Sequence, residues 1–208
     1  GGLWDKYPVM QVASAEGYVR DPELVIDFYN ERRKQLLDVE PNAGHTGLAE
    51  LEKDFNVTVV TQNVDNLHER AGSTHVIHLH GELTKVCSSR DPYNPRYVRE
   101  LKPEEYEVKM GDKAGDGSQL RPFIVWFGEA VPEIETAIGY VEKADIFVII
   151  GTSMNVYPAA GLLNYVPRTA EVYLIDPKPV DTHSMRQIHV IQKGASEGVK
   201  ELKTEILH

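Results

Sequence analysis

The chain has 208 residues, 41% of them apolar, which suits one domain, or one domain with a small insert, around a sizeable core. A formal charge of −10 argues against tight nonspecific phosphate-backbone binding, so nucleic acid is not an expected partner. The single cysteine, Cys87, excludes an internal disulfide framework or a multi-thiolate site and fits a reducing cytoplasm, while the longest apolar run, Ile146 to Ile150, is too short to span a bilayer; a soluble protein with no membrane partner is expected.

In chain order, Asp21-Pro22 reads as a helix start, with Leu24, Val25, Phe28 and Tyr29 recurring at helical spacing and Arg32 one turn beyond Tyr29. A second helix is predicted from Asn42 through Leu51, followed by the β-branched run Val57 to Thr61. Further strands are predicted at Val76 to His80, Phe123 to Trp126, Ile146 to Ile150, Val172 to Ile175 and His189 to Ile191, with helical patterns near 132 to 143 and 158 to 166. Strands alternating with helices imply an α/β fold, a Rossmann-like parallel sheet with helices on both faces. Between Glu82 and Leu120 the sequence turns charged and rich in Pro and Gly, so 82–120 reads as a small inserted subdomain or a long surface excursion. The resulting division is 1–81 with 121–208 for the Rossmann-like part and 82–120 for the insert.

Polar groups cluster at the ends of the apolar runs. Gln62, Asn63 and Asp65 follow a strand directly, where short polar side chains can bind ribose hydroxyls or an amide; the plain alternative is a turn with Asn and Asp caps. His80 ends an apolar run before Gly81, which lets the backbone turn sharply, and an imidazole there can take a proton near neutral pH. His78 is its competitor by period two. Gly151-Thr152-Ser153 follows a strand and precedes a helix entry, suited to phosphate or ribose, or to simple capping. Val125 to Glu129 is a strand end that can pair with an extended peptide or belong to the core. The Gly-rich run Gly111 to Gly117 follows no strand and carries acids, so it is not a phosphate loop.

Over nearly its whole length the chain resembles the sirtuin family of NAD-dependent protein deacylases. The resemblance is carried by Pro41 to His45, Thr61 to His68, Ala71-Gly72, Leu79-His80-Gly81, Arg121-Pro122 with Val125 to Glu129, Gly151 to Ser153 and Val156 to Ala160. It implies a large Rossmann-like domain with a smaller insert, and NAD with an acylated lysine of a protein or peptide substrate bound between them. It further implies that the acyl oxygen attacks the nicotinamide-bearing ribose carbon, nicotinamide leaves, and the acyl group ends on ADP-ribose. His80 matches the general base, Gln62, Asn63 and Asp65 the nicotinamide and ribose contacts, and Gly151, Thr152 and Ser153 the dinucleotide contacts. Asp176 and Ala195 match neighbours of the adenosine end. Val125, Trp126, Phe127, Gly128 and Glu129 resemble the strand edge that clamps substrate peptide.

Tyr29 and Arg32 match the Tyr and Arg pair of the class III branch, which removes malonyl, succinyl and glutaryl groups, so the resemblance implies a deacetylase and/or a demalonylase or desuccinylase. Independently of that resemblance, residues at i and i+3 share a helix face, and a guanidinium with a phenol can grip a carboxylate; the alternative is a core Tyr beside a surface ion pair. Two departures stand out. Most sirtuins hold zinc with four cysteines in the insert, and this chain has one, so zinc is expected to be absent and the segment either to hold its shape through residues such as Tyr93, Pro95, Tyr97 and Leu101 or to remain mobile. The family's first strand and Gly-Ala-Gly loop would precede Gly1, so the expectation concerns the parent protein. A glycohydrolase or ADP-ribosyltransferase, or a non-catalytic NAD or ADP-ribose sensor, are the alternative functions.

Overall fold

The computed structural model describes residues 7–151, 159–180 and 186–207. Its helices are α1 (Val9–Val12), α2 (Ala15–Arg20), α3 (Pro22–Leu36), α4 (Ala43–Glu50), α5 (Leu67–Arg70), α6 (Ile134–Val141), α7 (Ala159–Leu162) and α8 (Ala195–Ile206). The strands are β1 (Val59–Thr61), β2 (Val76–His78), β3 (Gly81–Ser88), β4 (Arg99–Glu100), β5 (Leu120–Ile124), β6 (Ile146–Ile150), β7 (Glu171–Ile175) and β8 (His189–Ile191). The fold is α/β and Rossmann-like. No helix among the described residues is long and apolar enough to cross a membrane.

The chain forms two compact units. One holds the described residues within 1–40, 61–66 and 78–132; the other holds those within 41–60, 67–77 and 133–208. This division does not follow boundaries at 81 and 121, and the reason is local. Strand β3 pairs antiparallel with both β4 and β5, so hydrogen bonding runs across residue 120. Helix α3 is bonded to the same segment: Asn30 donates to the Val108 carbonyl at 2.7 Å and accepts from its N–H at 2.9 Å, and Arg33 Nε donates to the Leu83 carbonyl at 2.8 Å.

In this first unit α3 starts where the sequence indicated, with the Asp21 side chain accepting from Leu24 N–H and Pro22 in the first turn. Its inward face meets Val86, Leu101, Val108, Ala114 and Leu120 through Ile26, with Tyr18 alongside. Strand β3 had no counterpart in the period-two pattern, because its register against β5 shifts between Gly81 and Val86, and Leu83 and Val86 both turn inward. β5 begins three residues before the predicted 123 and ends at Ile124. Its Pro122 is tolerated because β5 lies at a sheet edge. Residues 125 and 126 leave the strand.

The second unit is built on the parallel sheet β6-β7-β8. Tyr173, Ile175 and Ile191 pack with Leu51 and with Val199 and Leu202 of α8. Gly198 makes the closeness possible, since a Cβ there would sit 2.2 Å from Ile175 Cγ2. Helix α4 is capped by Asn42, whose side chain accepts from His45 N–H while His45 Nδ1 accepts from Asn42 N–H.

Candidate active site

In the first unit, His80 lies in the two-residue turn between β2 and β3, beyond the strand that was expected to end at it. The turn is tight because Gly81 has φ +87°, and a Cβ there would meet the Phe123 carbonyl oxygen at 2.1 Å. His80 is half-buried, and burial lowers its pKa, so the imidazole is neutral at physiological pH. A neutral imidazole can accept a proton.

The segment carrying Gln62, Asn63 and Asp65 is stitched to the residues around His80. Leu79 N–H donates to the Thr61 carbonyl at 3.0 Å and Leu83 N–H to the Val64 carbonyl at 2.7 Å. His78 Nδ1 lies 3.0 Å from the Asn63 carbonyl, and since a carbonyl only accepts, that nitrogen carries the proton. His78 is buried, with Nε2 3.8 Å from Glu82, whereas Asn63 is exposed and Gln62 and Asp65 are half-buried.

Tyr29 and Arg32 share one face of α3. Tyr29 is 1% exposed, and burial pushes its phenol up to about 12. Arg32 is half-buried, with its guanidinium carbon 5.9 Å from the Tyr29 ring centre; burial lowers its pKa, and Tyr29 and Asp65 oppose that shift. The sequence did not foresee that the Tyr29 hydroxyl accepts a hydrogen bond from Trp126 Nε1 at 3.0 Å.

Residues 125 to 129 are organised by side chains and by one strand-like bridge. Val125 N–H donates to the His80 carbonyl at 2.8 Å. Phe127 N–H donates to the Ala13 carbonyl and its own carbonyl accepts from Ala15 N–H, so the chain's own residues occupy both of its backbone groups. Trp126 N–H donates to Glu129 Oε1 at 2.9 Å, and Gly128 turns with φ +92°. Arg121 binds Glu129 through both terminal nitrogens, at 2.9 and 3.1 Å, and Tyr93 donates to the same carboxylate at 2.8 Å. Burial disfavours charge on both partners, but their hydrogen bonds win, holding Arg121 above and Glu129 below its ordinary range. An arginine inside an apolar run was the available signal for this pair; for the separate buried Arg33 the signal was its place one heptad after Ile26 on the buried face of α3.

The residues in place of a zinc site do not fit one. Cys87 is fully buried, its sulfur donates to the Pro122 carbonyl at 3.8 Å, and burial pushes the thiol up to about 12, so it stays protonated. The segment is held by packing and hydrogen bonds: Leu101 in the core cluster, Tyr93 on Glu129, and Ser88 bonded to Asp116.

In the second unit, Gly151, Asp176 and Ala195 come to the carboxyl edge of three adjacent parallel strands. Gly151 N–H donates to the Ile175 carbonyl at 3.0 Å and Asp176 N–H to the Ile191 carbonyl at 3.2 Å. Gly151 is exposed with φ +61°, Asp176 is half-buried, and exposed Ala195 opens α8, whose N-terminus has no side-chain cap. That edge can take a nucleotide, with N–H groups for phosphate and a carboxylate for ribose. Thr152 and Ser153 lie outside the described residues.

Known proteins point the same way. An NAD-dependent protein deacylase of Bacteroides thetaiotaomicron is 84% identical over 203 residues, covering 98% of this chain and 87% of its own length. One from Helicobacter pylori is 47% identical, covering 99% and 87%. A Sir2 homologue solved as an NAD complex superposes with a TM-score of 0.83 at 35% identity, covering 99% of this chain and 80% of that one. A Sir2–p53 peptide–NAD+ complex gives 0.74 at 29% identity, covering 92% and 81%. The Sir2 family profile matches residues 1–158, and the chain belongs to the Sir2 family.

Proposed function

We propose that this protein is an NAD-dependent protein-lysine deacylase that accepts acidic acyl groups as well as acetyl, releasing nicotinamide and passing the acyl group to ADP-ribose. The observation that carries the reading is the half-exposed, neutral His80 on a turn bonded to the segment of Asn63 and Asp65, beside the helix that presents Tyr29 and Arg32. NAD, when bound, supplies the electrophilic ribose carbon that the acyl oxygen attacks. His80 takes a proton from a ribose hydroxyl onto its ring; His78, buried with its Nδ1 proton on a backbone carbonyl, is the poorer base. Asp65 and Asn63, with Gln62, hold nicotinamide and ribose. Gly151, Asp176 and Ala195, with Thr152 and Ser153, take the adenosine end.

Arg32 and the Tyr29 hydroxyl bind the carboxylate of a malonyl, succinyl or glutaryl lysine, while the exposed Gly128 backbone and the exposed Phe127 side chain receive the peptide. Zinc has no part in this reading. The reaction belongs in the cytoplasm, where NAD is available and a lone buried thiol stays reduced.

The test is full-length protein with NAD and either acetylated or succinylated peptide, products read by mass spectrometry. Acyl-ADP-ribose and nicotinamide are expected from both, and Arg32→Met should lower kcat/KM on the succinylated peptide by roughly tenfold or more while leaving deacetylation within about twofold, the loss expected for a charge-assisted contact. ADP-ribose or ADP-ribosyl protein without acyl-ADP-ribose would replace this reading with a glycohydrolase or transferase.

A further inference from the structure

We propose that Trp126 is a positioning residue for acyl selectivity: its indole N–H occupies one lone pair of the Tyr29 hydroxyl and so keeps the Tyr29 O–H as a donor for a carboxylated acyl group. This rests on the reading of Tyr29 and Arg32 as the acyl-carboxylate pair.

The chemistry of the two groups leaves little choice. An indole N–H donates and cannot accept, whereas a phenol has one hydrogen and two lone pairs. With Trp126 Nε1 3.0 Å from the Tyr29 oxygen, the Tyr29 proton has to go to a third group. Burial keeps that proton in place, and donation from the indole polarises the O–H and strengthens it as a donor. Beside it, the Arg32 guanidinium adds the charge a carboxylate needs.

Trp126 is itself held on several sides. The Arg121 guanidinium carbon sits 3.9 Å from its ring centre, the Tyr18 ring lies 5.1 Å away, and its backbone N–H is bonded to Glu129. The indole N–H is the only polar group of that side chain and is already given to Tyr29, so Trp126 acts through Tyr29. An acetyl group offers no carboxylate to the Tyr29 O–H. Loss of the indole donor therefore affects acidic acyl groups selectively.

Trp126→Phe keeps an aromatic ring and deletes the donor. In full-length protein it should lower kcat/KM on a succinylated peptide, mainly through KM, by about tenfold more than on an acetylated peptide, as expected for one charge-assisted hydrogen bond. In a Tyr29→Phe background the same change should add nothing, since the two residues act as one unit. Equal losses on both peptides, or an undiminished loss without the Tyr29 hydroxyl, would overturn the proposal. If Trp126→Phe folds poorly, benzothienylalanine at position 126 preserves the shape and removes only the N–H, and the same outcomes decide. Arg32→Met separates the two layers. A selective Arg32→Met with unselective Trp126 variants rejects the role of Trp126 alone, whereas an unselective Arg32→Met rejects the acyl-carboxylate reading beneath it.

Discussion

The two units are stabilised by different means. Around β3 and β5 the interior contains charge: Arg121 is clamped by Glu129, and Arg33 is bound to the Asn30 side chain and to the carbonyls of Leu83 and Tyr106, with burial lowering its pKa to about 10. Around β6, β7 and β8 the interior is aliphatic and aromatic, with α8 pressed onto β7 through Gly198. Apolar packing tolerates small shifts because it has no direction, but hydrogen-bonded charge fixes the positions of its neighbours. The unit that must orient Tyr29, Trp126 and His80 is the one built around fixed charges.

The largest expected effect is at His80. His80→Tyr should reduce turnover by a factor on the order of 10² to 10⁴ while circular dichroism and much of the NAD affinity persist, because a general base acts in the reaction more than in ground-state binding. Retained turnover would move the base to His78.

Next comes a paired test of the contrast between the units. Glu129→Ala strips Arg121, whose side chain is 4% exposed, of its carboxylate, and should lower unfolding stability by about 3–5 kcal/mol and disturb acyl selectivity through Trp126. Leu202→Ala, in the apolar cluster, should cost about 2–5 kcal/mol with the succinyl-to-acetyl ratio unchanged. Both are read from urea midpoints alongside peptide kinetics, and a ratio that moves in the Leu202 variant alone would reverse the contrast.

The smallest effect is in pH dependence. The base works in its neutral form, and burial lowers the His80 pKa, so the neutral form persists to lower pH than for a free histidine. The acid limb of kcat/KM should therefore lie below the ordinary histidine value of about 6.5. An acid limb above that value would mean the imidazole is held charged in the free enzyme.

Much of this molecule could be read along the chain. Helix α3 started at Asp21-Pro22, β6 and β8 lay at the predicted residues, and the motif around Asn63, His80 and Gly151 named the family. These features come from short-range rules: capping, period, and a polar group placed after an apolar run. Strand β3 was missed because its bulge breaks the period, and β5 was misplaced because Arg121 disguised a buried strand.

What the sequence determined by itself was the family and the chemistry on offer, since a histidine before a glycine and a tyrosine three residues before an arginine carry their chemistry wherever they stand. Tertiary structure alone decided their states. Whether His80 is neutral, whether the Tyr29 oxygen is occupied, and whether Arg121 has a counter-ion depend on burial and on partners far along the chain, 97 residues away for Tyr29 and Trp126. Desolvation and hydrogen-bond geometry are set by folding, and local sequence carries no record of them.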